Sequence, residues 1–252
     1  MSEAARGFKD LFSRDSSSYA KFRPSYPREL IAWVAGLPRE RRLAWDCATG
    51  NGQAASLLAG YFERVVATAA SLTQLRAASR TARVSYAAAL AERVPLAAGR
   101  IDLITVAQAL HWIDLSRFFA EIDRIAAPGA ALAIWGYARL RASPALDAAI
   151  DRFHDETVGS YWSSERKLVD EGYKSFVLPI AEVPAPALAI EAKLTLPELL
   201  GYLRTWSAVG KYQSVHGSDP VTALAPELAA CWGDNAVRRV SWPLFVRAGR
   251  WR

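Results

Sequence analysis

The sequence is poor in the residues that build metal centres and redox sites. Its 252 residues include two cysteines, three histidines and one methionine. Cys47 and Cys231 form no C-x-x-C pair, which argues against a zinc ribbon or a dithiol motif, and no metal site is expected. No apolar run reaches the roughly 18 residues that a membrane-spanning helix needs. No charged segment followed by an apolar core marks a signal peptide, so a soluble cytoplasmic chain is the expectation. Internal repeats and low-complexity tracts are missing as well. The formal net charge is +6, yet no run of five or more Lys or Arg occurs. Scattered basic residues read as a solvated surface rather than a nucleic-acid groove, the densest group being Arg247, Arg250 and Arg252.

What is present is an apolar content of 52%, enough for one large α/β domain with an insertion. The informative stretch spans residues 42–71. An apolar run (Leu43, Ala44, Trp45) ends in Asp46, and a turn of small residues follows at Ala48, Thr49, Gly50 and Gly52. A helical apolar pattern through Leu57, Leu58 and Phe62 then leads to a second apolar run at Val65, Val66 and Ala67. This order is strand, tight turn, helix, strand. Small residues at such a turn let backbone approach a ligand closely, and the helix start offers free N–H groups. A glycine turn with no ligand at all has the same appearance, so the pattern alone leaves both readings open. The dinucleotide fingerprint G-x-G-x-x-G does not fit, because Ala55 stands at its third glycine.

D-C-A-T-G-N-G-Q resembles the first motif of the class I S-adenosylmethionine-dependent methyltransferases: an acid, then small residues two, four and six positions on, here Asp46, Ala48, Gly50 and Gly52, followed by Gln53. The resemblance implies S-adenosylmethionine as cofactor over Asp46, Ala48, Thr49, Gly50, Gly52 and Gln53. It also implies a Rossmann-like, seven-stranded, mostly parallel sheet of order 3-2-1-4-5-7-6 with strand seven antiparallel and helices on both faces. The family normally closes its second strand with an acid that grips the cofactor ribose. That position is Ala69, followed by Ala70, and a carboxylate there is worth about 1.5–3 kcal/mol per hydrogen bond. Ala130 departs from the family's glycine in the turn before strand five.

Around this core, residues 1–41 read as an N-terminal arm and helix, 42–140 as the cofactor-binding core, 141–186 as a helical cap inserted after strand five, and 187–252 as C-terminal strands and helices, in one domain. The arm carries Y-A-K-F-R-P-S-Y-P. By itself it reads as a packed arm, but it resembles the arm of trans-aconitate methyltransferase-like proteins, which implies a lid with Tyr19 and Arg23 facing the site. Residues 28–37 form a short helix behind Pro27. Residues 72–80 are helical, 84–86 a third strand, and Ala91 and Glu92 correspond to the family's adenine-side loop, although Glu92 reads equally as a solvated acid. Residues 101–106 are continuously apolar, as in a central parallel strand. Ligands bind at the carboxyl ends of such strands, where Q-A-L-H-W-I-D follows. Gln108 and Trp112 are therefore cofactor candidates, and His111 is either a packed residue or a general base. Residues 187–194 read as strand six and 237–248 as strand seven, irregular at Pro243. Thr195 and Glu198 make a capping box. Trp162 and Arg204 are candidate acceptor contacts.

These features lead to methyl transfer to a small-molecule acceptor, a carboxylate being the favoured class, by a monomer or homodimer. No N-P-P-Y or D-P-P-Y occurs, which argues against nucleic-acid base methylation. Two other readings stay open: a methyltransferase-fold protein with impaired cofactor binding, motivated by Ala48, Ala69 and Ala130, and an RNA methyltransferase, motivated by charge.

Overall fold

The computed structural model describes residues 22–78, 80–234 and 236–252; most of the predicted arm, including Tyr19, lies outside them. Within the described residues an eight-stranded sheet has the order β3-β2-β1-β4-β5-β8-β6, with β7 pairing β8. The strands are β1 (Leu43–Cys47), β2 (Arg64–Ala69), β3 (Val84–Ala88), β4 (Ile101–Ala107), β5 (Ala126–Tyr137), β6 (Ile180–Val183), β7 (Ala189–Leu194) and β8 (Arg238–Trp251). Strands β3, β2, β1, β4 and β5 run parallel. Strand β8 is antiparallel to β5 and β6. This is the Rossmann-like order expected from the resemblance, with β8 in the seventh place and β6 in the sixth.

Two differences from the sequence reading concern the sheet's far edge. The stretch read as strand six, β7, does not take that place. It pairs with the first half of β8, from Pro243↔Ala189 to Arg238↔Leu194. The sixth place belongs to the four residues of β6, paired with the second half of β8. Pro179, Pro184 and Pro186 surround β6, and so short a strand among prolines has no periodic signal to read. The turn A-P-G-A also proves to be part of β5, with its register shifting against β4 between Ile101 and Leu103.

The core follows from the patterning. Strand β4 is buried along nearly its whole length, because helices cover both faces of a parallel sheet. On one face α1 (Arg28–Ala35) and α2 (Gln53–Leu58) pack with Leu30, Ile31 and Leu58 against Val65, Leu103 and Trp135. On the other, α4 (Leu115–Ile125) turns Phe118, Ile122 and Ile125 onto Trp45, Ile104 and Ile134. The short α3 (Leu72–Arg76) lies between β2 and β3. Asp102 ties the start of β4 to β1: its carboxylate accepts the backbone N–H groups of Arg42 and Leu43 at 2.9 and 3.0 Å.

Beyond β5, α5 (Pro144–Arg152), a π turn (Phe153–Thr157), a 3-10 turn (Gly159–Tyr161) and α6 (Arg166–Asp170) form the segment read as a cap. Helices α7 (Leu196–Arg204), α8 (Ser207–His216) and α9 (Pro220–Trp232) pack with α5 in a third, aromatic-rich cluster. Helix α7 begins in the expected Thr195/Glu198 capping box. No helix among the described residues is long and apolar enough to cross a membrane.

Candidate active site

The first half of the site is the turn between β1 and α2. Ala48, Gly50 and Gly52 all have positive φ, at 54°, 60° and 84°. The chain is thereby folded back on itself in a conformation that side chains resist. Asp46 holds it there. Its carboxylate is 1% exposed and accepts the Thr105 hydroxyl at 2.7 Å on Oδ1. On Oδ2 it accepts the Thr49 hydroxyl and, at 3.1 Å, the Ala55 backbone N–H. Burial outweighs these donors and raises its pKa to about 6. Thr49 N–H donates to the Thr68 carbonyl of β2 at 2.8 Å. The two glycines differ. A Cβ at Gly52 would lie 2.4 Å from the Tyr86 hydroxyl, whereas one at Gly50 would meet no atom within 4 Å. Gly52 is required for packing, and Gly50 borders open space.

Beside the turn, Ala69 ends β2 opposite Ala88, and its carbonyl accepts the Ala89 N–H. Its side chain is 3% exposed. Ser71 caps α3 by accepting the Gln74 N–H. Ala91 is half-buried and Ala70 exposed. The Glu92 carboxylate accepts the Asp114 N–H at 3.0 Å, at the N-cap of α4.

The second half is an open cleft at the ends of β4 and β5. Gln108, with φ 54°, closes β4. Its side-chain amide lies in room left by Gly136, where a Cβ would be 2.6 Å from Oε1. That buried Oε1 has no hydrogen-bond partner among the described residues. His111, Trp112, Tyr137 and Trp162 form aromatic walls, with Ser163, Ser207 and Val169 between them. Among the described residues two guanidinium groups reach the cleft, from Arg23 and Arg166, and no carboxylate lines it. Arg23 donates to the Tyr137 hydroxyl at 2.7 Å and the Thr205 carbonyl at 3.1 Å. Arg166 lies over the Trp162 ring at 4.8 Å and pairs with Asp170 at 2.9 Å. Trp162 is fixed by donating its indole N–H to the His154 carbonyl at 3.2 Å. His111 Nδ1 sits 2.7 Å from the Tyr173 hydroxyl. Burial, with Arg166 nearby, lowers the imidazole pKa to about 4, so it is neutral at pH 7.

Residues 45–134, which carry the turn and β4, match the family model described as a methyltransferase domain. A Dictyostelium discoideum protein described as a methyltransferase is 31% identical over 247 residues, 95% of this chain and 94% of its own. The chain belongs to the class I S-adenosylmethionine-dependent methyltransferases. A solved structure described as that of a type II methyltransferase from Anaeromyxobacter dehalogenans is similar in fold and sequence, with a TM-score of 0.85 and 43% identity over 91% of this chain and 98% of that one. A protein from Anabaena variabilis described as a methyltransferase from an antibiotic biosynthesis pathway shares the fold, with a TM-score of 0.52 and 17% identity over 85% of this chain and 96% of its own.

The methyltransferase cofactor is S-adenosylmethionine, and the turn fits it where Gly50 leaves open space that any side chain would fill. The sequence-derived residues fall into three groups. Ala48, Thr49, Gly50, Gly52 and Gln53 form the turn and the start of α2, with Ala69, Ala70, Ala91 and Glu92 on its β2–β3 side. Arg23, Gln108, His111, Trp112 and Trp162 meet in the cleft. Asp46 and Arg204 fall outside both. Asp46 is enclosed, so it holds the turn from beneath and presents no free oxygen to a ligand. Arg204 pairs with Asp219 at 2.7 Å, and Asp219 caps α9; it does not line the cleft, because helix α7 turns it to the neighbouring helix. Sequence reasoning missed Tyr137 and Arg166. Tyr137 ends β5, a position recognisable as a strand end, whereas Arg166 lies in a polar run with no motif.

Proposed function

We propose that this methyltransferase methylates a carboxylate oxygen of a small acceptor with an apolar body, held in the cleft of Arg23 and Arg166. The observation that carries the reading is the cleft's lining among the described residues: the guanidinium groups of Arg23 and of Arg166, the latter paired with Asp170, aromatic walls and no acidic side chain. Arginine suits a planar anion because its fork of N–H groups matches two carboxylate oxygens. Bound S-adenosylmethionine supplies an electrophilic methyl on a sulfonium sulfur. The protein's part is alignment and exclusion of water. A carboxylate is already nucleophilic at pH 7 and needs no base. This agrees with a cleft whose only lining imidazole, His111, is held far below ordinary basicity.

In this reading Ala48, Thr49, Gly50, Gly52 and Gln53 hold the cofactor at the turn, while Ala69, Ala70, Ala91 and Glu92 flank its nucleoside end. Gln108 and Trp112 stand between the cofactor and the acceptor. The reading agrees with the small-molecule branch named from the arm. The test is transfer of labelled methyl from S-adenosylmethionine to a panel of small carboxylic acids. The expected product is a methyl ester, which releases its label on mild alkaline hydrolysis. Base-stable product, or label appearing in RNA at low salt, would overturn the proposal.

A further inference from the structure

The geometry points to Tyr173 as a positioning residue that fixes His111 as a hydrogen-bond donor to the cleft, not a base. This deepens the proposal of an acid acceptor and rests on it only for the identity of the group that receives the hydrogen bond.

Tyr173 closes a Schellman end of α6, in which Gly172 and Tyr173 donate their N–H groups to the Val169 and Leu168 carbonyls, both at 2.9 Å. Tyr173 itself has φ 57°, directly after Gly172 at φ 64°, in a region that an L side chain enters only under strain. The surroundings hold it. Arg247 of β8 donates to the Tyr173 and Phe176 carbonyls at 2.8 and 2.7 Å and pairs with Glu182 of β6 at 2.9 Å. The Tyr173 ring is fully buried, with Phe245 edge-on at 5.3 Å and Phe176 stacked at 5.7 Å. So many constraints on one strained residue point to a use for where its hydroxyl lands.

The hydroxyl lands on His111 Nδ1, at 2.7 Å. A phenol has one proton to give, and an imidazole nitrogen is either donor or acceptor. Tyr173 is fully buried, and among the described residues its hydroxyl is within hydrogen-bond distance of His111 Nδ1 alone. Were Nδ1 the donor, the phenolic proton would be buried with no acceptor, which is costly. Tyr173 therefore donates its proton to Nδ1. The neutral imidazole then carries its proton on Nε2. The ring lines the cleft, and with Nδ1 taken, Nε2 is the nitrogen left to face a ligand. A nitrogen bearing a proton has no lone pair with which to abstract another. It can donate to an acceptor oxygen and turn it toward the methyl group. The arrangement is the second-sphere orientation familiar from metal-bound histidine, used without a metal.

The test is ¹⁵N NMR of histidine-labelled full-length protein. There are only three histidines, and His111→Gln identifies the signal. The expected result is one tautomer for His111, with Nε2 protonated and Nδ1 bare, and mixed tautomers in Tyr173→Phe. A protonated Nδ1 in the parent, or an unchanged tautomer in Tyr173→Phe, would overturn the inference. Benzoate is the carboxylate probe. It should shift the Nε2 proton and bind about tenfold more weakly to His111→Ala, with His111→Gln recovering part of the loss because its amide also donates. Should the tautomer be as stated and benzoate leave Nε2 unmoved, the acid-acceptor reading fails while the role of Tyr173 stands. Unequal loss in the two His111 variants is what a purely structural role would not give.

Discussion

Replacing Asp46 with Asn separates a residue that shapes the turn from one that touches the cofactor. The substitution keeps the side chain's shape. The amide oxygen can take the place of Oδ2 and keep both the Thr49 hydroxyl and the Ala55 N–H. The amide nitrogen then meets the Thr105 hydroxyl, which can turn to accept it and give its own proton to the Trp45 carbonyl at 3.5 Å. What is lost is a buried charge. The folded pKa is raised, from an ordinary 3.8 to about 6. The folded chain therefore binds this proton more tightly than the unfolded chain. The contribution to stability is full below pH 3.8 and is lost as the pH rises through 6. That interval corresponds to about 3 kcal/mol at most. Asn does not titrate. Asp46→Asn is therefore expected to match the parent near pH 4 within about 1 kcal/mol and to exceed it by up to about 3 kcal/mol at pH 7. Urea unfolding at pH steps from 4 to 7 measures the difference, and subtraction cancels the carboxylates whose pKa values are lowered, such as Asp155 and Glu182. S-adenosylmethionine affinity should stay within about threefold. A stability difference independent of pH, or loss of cofactor binding, would refute the reasoning.

Other substitutions follow from the same geometry. Gly50→Val puts a branched side chain into open space at φ 60°. It should cost about 1–2 kcal/mol of stability, seen by calorimetric melting, yet abolish S-adenosylmethionine binding; retained binding would remove the cofactor from this turn. Gly52→Ala meets the Tyr86 hydroxyl and a φ of 84°; its melting temperature should fall further than that of Gly50→Val, and Tyr86→Phe in the same chain should recover part of the loss. Ala69→Asp restores a carboxylate at the end of β2. Titration should show binding tightened by about ten- to a hundredfold, and equal affinities would mean that the ribose is held elsewhere.

The local parts of this fold are legible in the sequence because their causes are local. The glycine turn after Asp46 follows from residues within ten positions, as do the continuous apolar run of β4 and the Thr195/Glu198 cap. The parts that escape are made by distant partners. Tyr173 reaches His111 across 62 residues and Arg23 reaches Tyr137 across 114. Neither pair has a spacing that a sequence displays. Asp46 shows the converse. Its motif position suggests a ligand contact, but three donors converge on it from β4, the turn and α2, and only their folded arrangement reveals that its oxygens are already used. Arg204 and Arg166 are equally basic in sequence, and the difference between them is a single neighbour: Asp219 draws Arg204 to α9, whereas Asp170 and the Trp162 ring leave Arg166 at the cleft.

Isothermal titration of S-adenosylmethionine into the full chain, beside Gly50→Val, tests most directly whether the open space at Gly50 is the cofactor's seat. The expected result is one site per chain in the parent, weaker than a ribose-binding acid would give, and no heat of binding in Gly50→Val. Equal binding in the two proteins, or none in the parent at millimolar cofactor, would contradict it.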